Sequence, residues 1–270
     1  MSARNKIPCS VGILTFNNEY TLRKCLESLF EFEEIIICDG GSTDKTLNIA
    51  REFKCKIINQ DNKFKYDNNK ISDFSGVRNQ TLSKAEHDWF LIVDSDEYLS
   101  KDVVDEIREI ISTDNVDKPK YFQMLRKYEL NGEVIECAGT YPNYQPRFFN
   151  KKYVTDFVLR VHEKVYPKKG TKVGFFINYT VVPVDFTYRA LSNKFQYYLQ
   201  IDRAQALSME KRKLLKSAYL NLRGIFGRWF RILRSRLFCS GKQMPLKFEL
   251  ASTIYSVKLT SILFFTFLKR

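Results

Sequence analysis

Residues 89–97 read Trp-Phe-Leu-Ile-Val-Asp-Ser-Asp-Glu, and the fold turns on this stretch. Five apolar residues between polar ones predict a short buried strand. The carboxylates of Asp94 and Asp96 stand one residue apart, so both fall at one sheet edge and on one face. Hard oxygen donors that close repel each other unless a cation sits between them. Mg²⁺ or Mn²⁺ carrying a diphosphate suits such a place. Asp pairs after strands are also common in loops, so the weight of this one comes from what lies upstream.

Upstream, strand and helix patterns alternate. Residues 10–16 read as a buried strand, and 19–30 have helical spacing through Leu22, Cys25, Leu26 and Leu29. Residues 34–38 predict a second strand, 43–53 a helix capped by Ser42 or Thr43, 56–59 a third strand, and 74–85 a helix leading to the strand at 89–93. This alternation predicts an α/β fold, a Rossmann-like, mostly parallel sheet flanked by helices. Such sheets bind ligands beyond the carboxyl ends of their strands. The polar clusters 15–19, 39–44 and 94–97 fall there. Residues 120–188 read as aromatic, antiparallel additions with turns at Asn131-Gly132 and Lys169-Gly170, and 190–238 as helical.

The chain has 270 residues, 44% of them apolar, enough for one domain and an appendage. Its six cysteines show no CxxC spacing and read as reduced core thiols of a cytoplasmic protein. No N-terminal signal peptide is read, and no run approaches about 20 uncharged apolar residues, so no spanning helix is expected. The net charge of +13 is uneven. Residues 206–270 hold 14 Lys/Arg and 2 Asp/Glu, a net of +12, which leaves +1 for the rest. The composition divides the chain into 1–205 and a basic tail, 206–270.

The words "VGILTFNNEYTLRKCLESL" (11–29), "EIIICDGGSTDKT" (34–46), "SGVRNQTLSKAEHDWFLIVDSDEYLS" (75–100), "QPRFF" (145–149) and "VHE" (161–163) together resemble the family 2 glycosyltransferases of GT-A fold. Within them the chain is most similar to the group containing lipopolysaccharide-core β-glucosyltransferases. The resemblance covers roughly residues 8–205. It implies inverting transfer from a nucleotide-sugar, usually a UDP-sugar, assisted by a divalent metal, Mn²⁺ or Mg²⁺; a glycan or lipid-linked acceptor is expected alongside the basic tail.

The candidate site follows. Asp39, beside Gly40, is suited to accept a hydrogen bond from a uracil N–H; its alternative is a helix cap. Thr15, Asn17 and Glu19 flank the first strand–helix turn, where nucleotide contacts are expected, although Glu19 also suits a helix first turn. By resemblance, Arg78 faces the donor diphosphate or a site carboxylate, Asp94 the ribose or a metal-bound water, and Asp96 the metal. Glu97 stands between a supporting and a structural role. Inversion needs a base on the acceptor side. Glu163 is favoured, with Asp185 as the other candidate, and the neighbouring His162 is a possible metal ligand or acceptor contact. The group often carries His-Tyr-Ser/Thr where this chain has Val184-Asp185-Phe186-Thr187-Tyr188, which leaves the outer metal ligands open.

In the tail, Leu215, Leu222, Phe226, Trp229, Leu233 and Leu237 recur at helical steps, with Arg223, Arg228, Arg231, Arg234 and Arg236 around them. This predicts a basic amphipathic helix on an anionic membrane surface, peripheral at the inner face of the cytoplasmic membrane. The alternatives are packing on the catalytic domain, an oligomer interface through the C-terminal helices, and nucleic-acid binding. No nucleic-acid module accompanies the tail, and no nucleic-acid partner is expected. A nucleotidyltransferase of similar fold is a further alternative, weakened by the lack of a Gly-rich basic loop after the first strand.

Overall fold

The computed structural model describes residues 5–66, 71–160, 163–184 and 188–269, the side chains of 188–194 excepted. In chain order the elements are β1 (Ile7–Thr15), α1 (Leu22–Glu27), β2 (Phe32–Asp39), α2 (Thr46–Glu52), β3 (Lys56–Asn59), α3 (Phe74–Ser83), β4 (Trp89–Ile92), β5 (Tyr98–Leu99) and α4 (Lys101–Ser112). They continue with β6 (Tyr121–Leu130), β7 (Glu133–Val134), β8 (Tyr144–Asn150), β9 (Val173–Pro183), α5 (Tyr188–Ser208), α6 (Lys211–Phe238) and α7 (Leu246–Leu268). The chain forms two compact units, Met1–Arg126 with Asn143–Val182, and Lys127–Pro142 with Pro183–Arg270. The boundary expected near residue 205 falls inside α5. Charge changes where the basic residues begin; packing divides the chain elsewhere.

The first unit is built on a sheet of order β3-β2-β1-β4-β8-β6-β9-β5. β3, β2, β1 and β4 are parallel. β8 joins β4 antiparallel, β6 joins β8 antiparallel, and β5 joins β9 antiparallel. The sheet is therefore mixed. Its parallel half comes from the alternating N-terminal segment and its antiparallel half from the aromatic one.

β4 explains the apolar run in the sequence. Trp89, Leu91 and Val93 enter one core with α1 and α4, while Phe90 and Ile92 enter another with Tyr121, Phe149 and Val165. A strand covered on both faces has no polar alternation. Gly12 of β1 makes room for this packing: a Cβ there would lie 2.4 Å from Cζ of Phe90. α4 was not foreseen. Ser100 caps it, its hydroxyl accepting from Val103 N at 3.4 Å, and Val103, Val104 and Ile107 are buried. The cap expected of Ser42 or Thr43 on α2 is not made. Lys45 occupies the N-cap without a side-chain bond. Asp44 accepts from Thr46 N at 2.9 Å instead, because the Ser42 hydroxyl is engaged by Asp39.

In the second unit, the β6–β7 hairpin turns at Asn131 and Gly132, both at positive φ (52° and 79°), as a tight hairpin requires. Ala206, Leu214, Ala218 and Leu263 form a small core among α5, α6 and α7. One expectation is corrected here, and a second meets a finding that bears on it. Cys137 and Cys239 form a disulfide, Cα–Cα 6.0 Å, across a sequence separation of 102 that no spacing rule reveals; Cys9, Cys25, Cys38 and Cys55 are free thiols. Second, α7 is long and apolar enough to cross a membrane by length and composition, with a mean hydropathy of 1.4 over its best window and 11% of that window buried. Counting uncharged residues misses it because Lys247, Glu249 and Lys258 interrupt the run.

Two measurements check this packing. Gly12→Ala should destabilise the protein by about 1–3 kcal/mol in denaturant melts, the usual range for overpacking a core, and Phe90→Leu should recover part of the loss; an unchanged midpoint would mean that the ring does not cross β1 there. Thiol titration of the denatured, unreduced chain should find the four free cysteines described above, and six would refute the disulfide.

Candidate active site

β1 lies between β2 and β4. The register pairs Thr15 with Asp39 across β1–β2, and Gly12 with Ile92 across β1–β4. The polar residues that follow each strand therefore meet at one sheet edge, with neighbouring strands about 4.8 Å apart.

Asp39 is buried and fully engaged. Its Oδ1 accepts from the hydroxyls of Thr15 (2.9 Å) and Ser42 (2.6 Å), and its Oδ2 from the backbone N–H groups of Gly41 (2.8 Å) and Ser42 (2.7 Å). A carboxylate has about four acceptor positions, so this set fills them. Gly41 takes φ +99°, and a Cβ on Gly40 would meet Gln60 Oε1 and Phe16 at 3.2 Å. Asp39 thus folds the 39–42 turn, and a uracil N–H would have to displace one of its hydroxyl donors.

Asn17 and Glu19 tie that turn to the one after β1. Asn17 Oδ1 accepts from Thr43 N at 2.8 Å, and Asn17 N donates to the Ser42 hydroxyl at 2.9 Å. Glu19 Oε2 accepts from Lys45 N, and Glu19 N donates to Asp44, both at 3.1 Å. The polar words of the two loops serve first to lock the loops to each other.

At the end of β4 three carboxylates meet three guanidinium groups. Arg78 Nη2 of α3 donates to Asp94 Oδ1 at 2.6 Å. Arg147 of β8 donates to both Asp94 oxygens, at 3.0 and 2.5 Å, a bidentate pair. Arg126 of β6 bonds Glu97 and stands 4.0 Å from Asp94. Arg78 Nε reaches Glu163 Oε1 at 3.4 Å, so one guanidinium bridges Asp94 and Glu163. Beside Arg78 on α3, Asn79 donates to Phe157 O at 2.9 Å and accepts from Phe157 N at 2.8 Å. Burial alone would raise the Asp94 carboxyl, but the charges of Arg147 and Arg78 overcome it and hold the group well below the usual range. Glu97 is 2% exposed; burial, then the Asp94 charge, pushes it up to about 7 against the opposing pull of Arg147 and Arg126.

Sequence reading therefore named Asp94, Arg78 and Glu163, which the structure brings together. It gave Arg147 a motif but no role and missed Arg126, whose only signal is one polar position in a strand. His162 and Asp185 lie outside the described residues.

Both Asp94 oxygens are taken by arginines, while Asp96 is exposed at the strand end. Among the described residues no group of three or more His, Cys, Asp or Glu forms a cage. Mg²⁺ and Mn²⁺ with phosphates need only one or two protein carboxylates. Asp96 fits a cation that arrives with a diphosphate.

The raised Glu97 carboxyl has a pH signature. The native state keeps its proton up to about 7, whereas the unfolded chain releases it near 4.5. Between those values the native state binds more protons, so this stabilisation is present at low pH and is lost as pH rises through the window. Asp94 acts oppositely: its stabilisation is present above its ordinary 3.8 and is lost as pH falls. Glu97→Gln should remove the first slope. Tm of the wild type should fall relative to the variant from pH 5 to pH 8, and a pH-independent difference would refute the assignment.

Comparison with known proteins gives the family. The pattern described as "Glycosyl transferase family 2" matches residues 10–153, just over half of the chain. The SPbeta prophage-derived glycosyltransferase SunS of Bacillus subtilis (strain 168) is 33% identical over 170 residues, 57% of this chain and 38% of that protein. The lipopolysaccharide core biosynthesis glycosyltransferase LpsC of Rhizobium meliloti (strain 1021) is 28% identical over 164 residues, 60% of this chain and 58% of that one. The chain thus spans between 38% and 58% of the length of these two relatives. The crystal structure of S. aureus TarS 1–349 superposes with a TM-score of 0.47 at 16% identity, covering 75% of this chain and 66% of that one, too distant to carry an argument. The matched span holds the ends of β1, β2 and β4 and all three arginines of the cluster, on the mixed, helix-flanked sheet of the GT-A fold; the chain belongs to glycosyl transferase family 2.

Proposed function

We propose that this chain transfers a sugar from a nucleotide donor, a UDP-sugar, to a hydroxyl of a glycan or lipid-linked acceptor, with inversion at the anomeric carbon. The observation that carries the reading is the gathering of Thr15, Asp39, Asp94 and Asp96 at adjacent strand ends, in a chain of this family. The loops after β1 and β2 hold the nucleoside, with Asp39 taking the base N–H in place of one hydroxyl donor. Asp94, fixed by Arg78 and Arg147, faces the ribose. Asp96 holds Mn²⁺ or Mg²⁺ together with the diphosphate. When bound, that ion supplies Lewis-acid stabilisation of the charge on departing UDP.

Glu163 accepts the proton of the attacking hydroxyl as the new C–O bond forms and the bond to the diphosphate breaks. Arg78 sets its position by holding Glu163 and Asp94 on one guanidinium. The basic tail brings the enzyme to an anionic membrane, where a lipid-linked acceptor of the lipopolysaccharide-core kind is presented at the cytoplasmic face.

Asp96→Asn should keep the melting curve and lose most transfer, and EDTA should silence the wild type. Full activity of the variant would remove Asp96 from the site. Glu163→Gln should lower kcat by about 10²–10⁴-fold with little change in UDP affinity, the signature of a base. If Asp185→Asn behaves so instead, Asp185 is the base. Release of pyrophosphate rather than UDP would overturn sugar transfer itself.

A further inference from the structure

The second unit carries two helical stripes that no part of the transfer reaction uses. On α6, Leu215, Tyr219, Leu222, Phe226, Leu233 and Leu237 are each at least 46% exposed. On α7, Leu246, Leu250, Ile254, Val257, Phe264 and Leu268 are each at least 40% exposed. Both sets recur at steps of three, four or seven, so each is one face of its helix.

The two helices form an antiparallel hairpin. Lys211 Nζ lies 5.1 Å from the ring centroid of Phe267, Asn221 donates to Ser256 O and to the Thr260 hydroxyl at 2.8 Å each, and Arg236 donates to Met244 O. Partners thus run from the open end of the hairpin to its loop. The buried residues Leu214, Ala218 and Ile232 on α6, and Glu249, Ser256 and Leu263 on α7, mark the inward faces. At 3.6 residues per turn, each exposed stripe lies about 110° from its own inward face, in the same rotational sense on both helices. Reversing one helix mirrors that offset, so the two stripes emerge on the same side of the hairpin.

The same geometry places the charges. Lys216, Arg223 and Arg234 border the α6 stripe on the edge away from α7, and Lys247 and Lys258 border the α7 stripe on the edge away from α6; all five are exposed. Of the two acids in residues 206–270, Glu249 is buried and accepts from Gly139 N at 2.7 Å, and Glu210 precedes α6. The one hydroxyl inside the α7 stripe, Ser261, donates to Val257 O at 3.0 Å and needs no water partner.

From this we infer that the α6–α7 hairpin is a single membrane-embedding face that lies in the plane of an anionic leaflet, both apolar stripes down and both cation rows at the headgroups. This deepens the membrane part of the proposed function and rests on it. The α7 helix lies along the surface and does not span. Lys258 stands near the middle of α7, where a spanning helix would hold it at the costly centre of the hydrocarbon, whereas in the flat hairpin it sits at headgroup level. Two copies stacked by these faces would bring their cation rows together, which favours a lipid surface over a dimer.

The test uses the full chain and vesicles without donor or acceptor, so it can fail or succeed independently of sugar transfer. Flotation should show binding to phosphatidylcholine–phosphatidylglycerol vesicles. Phe226→Asp on α6 and Val257→Asp on α7 should each weaken it by about tenfold or more, with the thermal melt unchanged. Loss with the α6 variant alone would overturn the joint face. If either variant melts early, Arg223→Glu with Arg234→Glu, which leaves the stripes intact, should weaken anionic binding and spare neutral vesicles; equal binding would overturn the inference. In a Trp229→Phe background, Ile254→Trp and Leu268→Trp should be quenched to similar depth by brominated lipids. Widely different depths would mean a spanning α7. A dimer in solution with no vesicle binding would assign the face to a second copy instead.

Discussion

The structure at the sheet edge depends on one interaction, the carboxylate of Asp94 held by the guanidinium groups of Arg78 and Arg147. It joins α3, the end of β4, and β8, which lie far apart in the chain. The Asp94 side chain is only partly buried, and the two guanidinium charges hold it ionised. The bidentate geometry of Arg147 supplies both directions at once. Arg126 completes the charge balance through Glu97, and Arg78 extends it to Glu163.

This constraint sets what the neighbouring acids can do. Asp94 is saturated by arginines, whereas Asp96, two residues on, is exposed. With Asp94 ionised, Glu97 is driven toward its neutral form. Two carboxyl groups three residues apart therefore divide into a fixed anion and a titrating acid because their surroundings differ. The loops after β1 and β2 follow the same economy of donors. Asp39 spends its acceptor positions on its own turn, and Asn17 and Glu19 spend theirs on the facing loop. The two loops are thereby locked to each other.

The second unit obeys a different rule. Many of its polar side chains bond helix carbonyls, as Asn221 does with Ser256 O beside the Thr260 hydroxyl, and many of its large apolar side chains are exposed. Contiguous exposed apolar faces of this kind are characteristic of interaction surfaces. Exposed cations, Lys216, Arg223 and Arg234 on α6 and Lys247 and Lys258 on α7, border these stripes.

The strands and helices around the site were legible in the sequence because their signals are local. Residues 56–59 form β3 as read, the apolar run 89–93 contains β4, and the stripe from Leu215 to Leu237 is exposed on α6. The polar words after β1, β2 and β4 lie at one edge because the parallel order of the strands requires it. Which atoms those residues touch was not legible. Arg126 and Arg147 meet Asp94 and Glu97 only because β8 and β6 return antiparallel beside β4, and Cys137 meets Cys239 across a separation of 102 residues. The α6 and α7 stripes share a side only because the hairpin is antiparallel. Periodicity and strand ends are properties of neighbouring residues, and a sequence carries them directly. Ion pairs, disulfides and shared faces are properties of residues brought together by sheet order and helix direction, and the tertiary structure alone decided them.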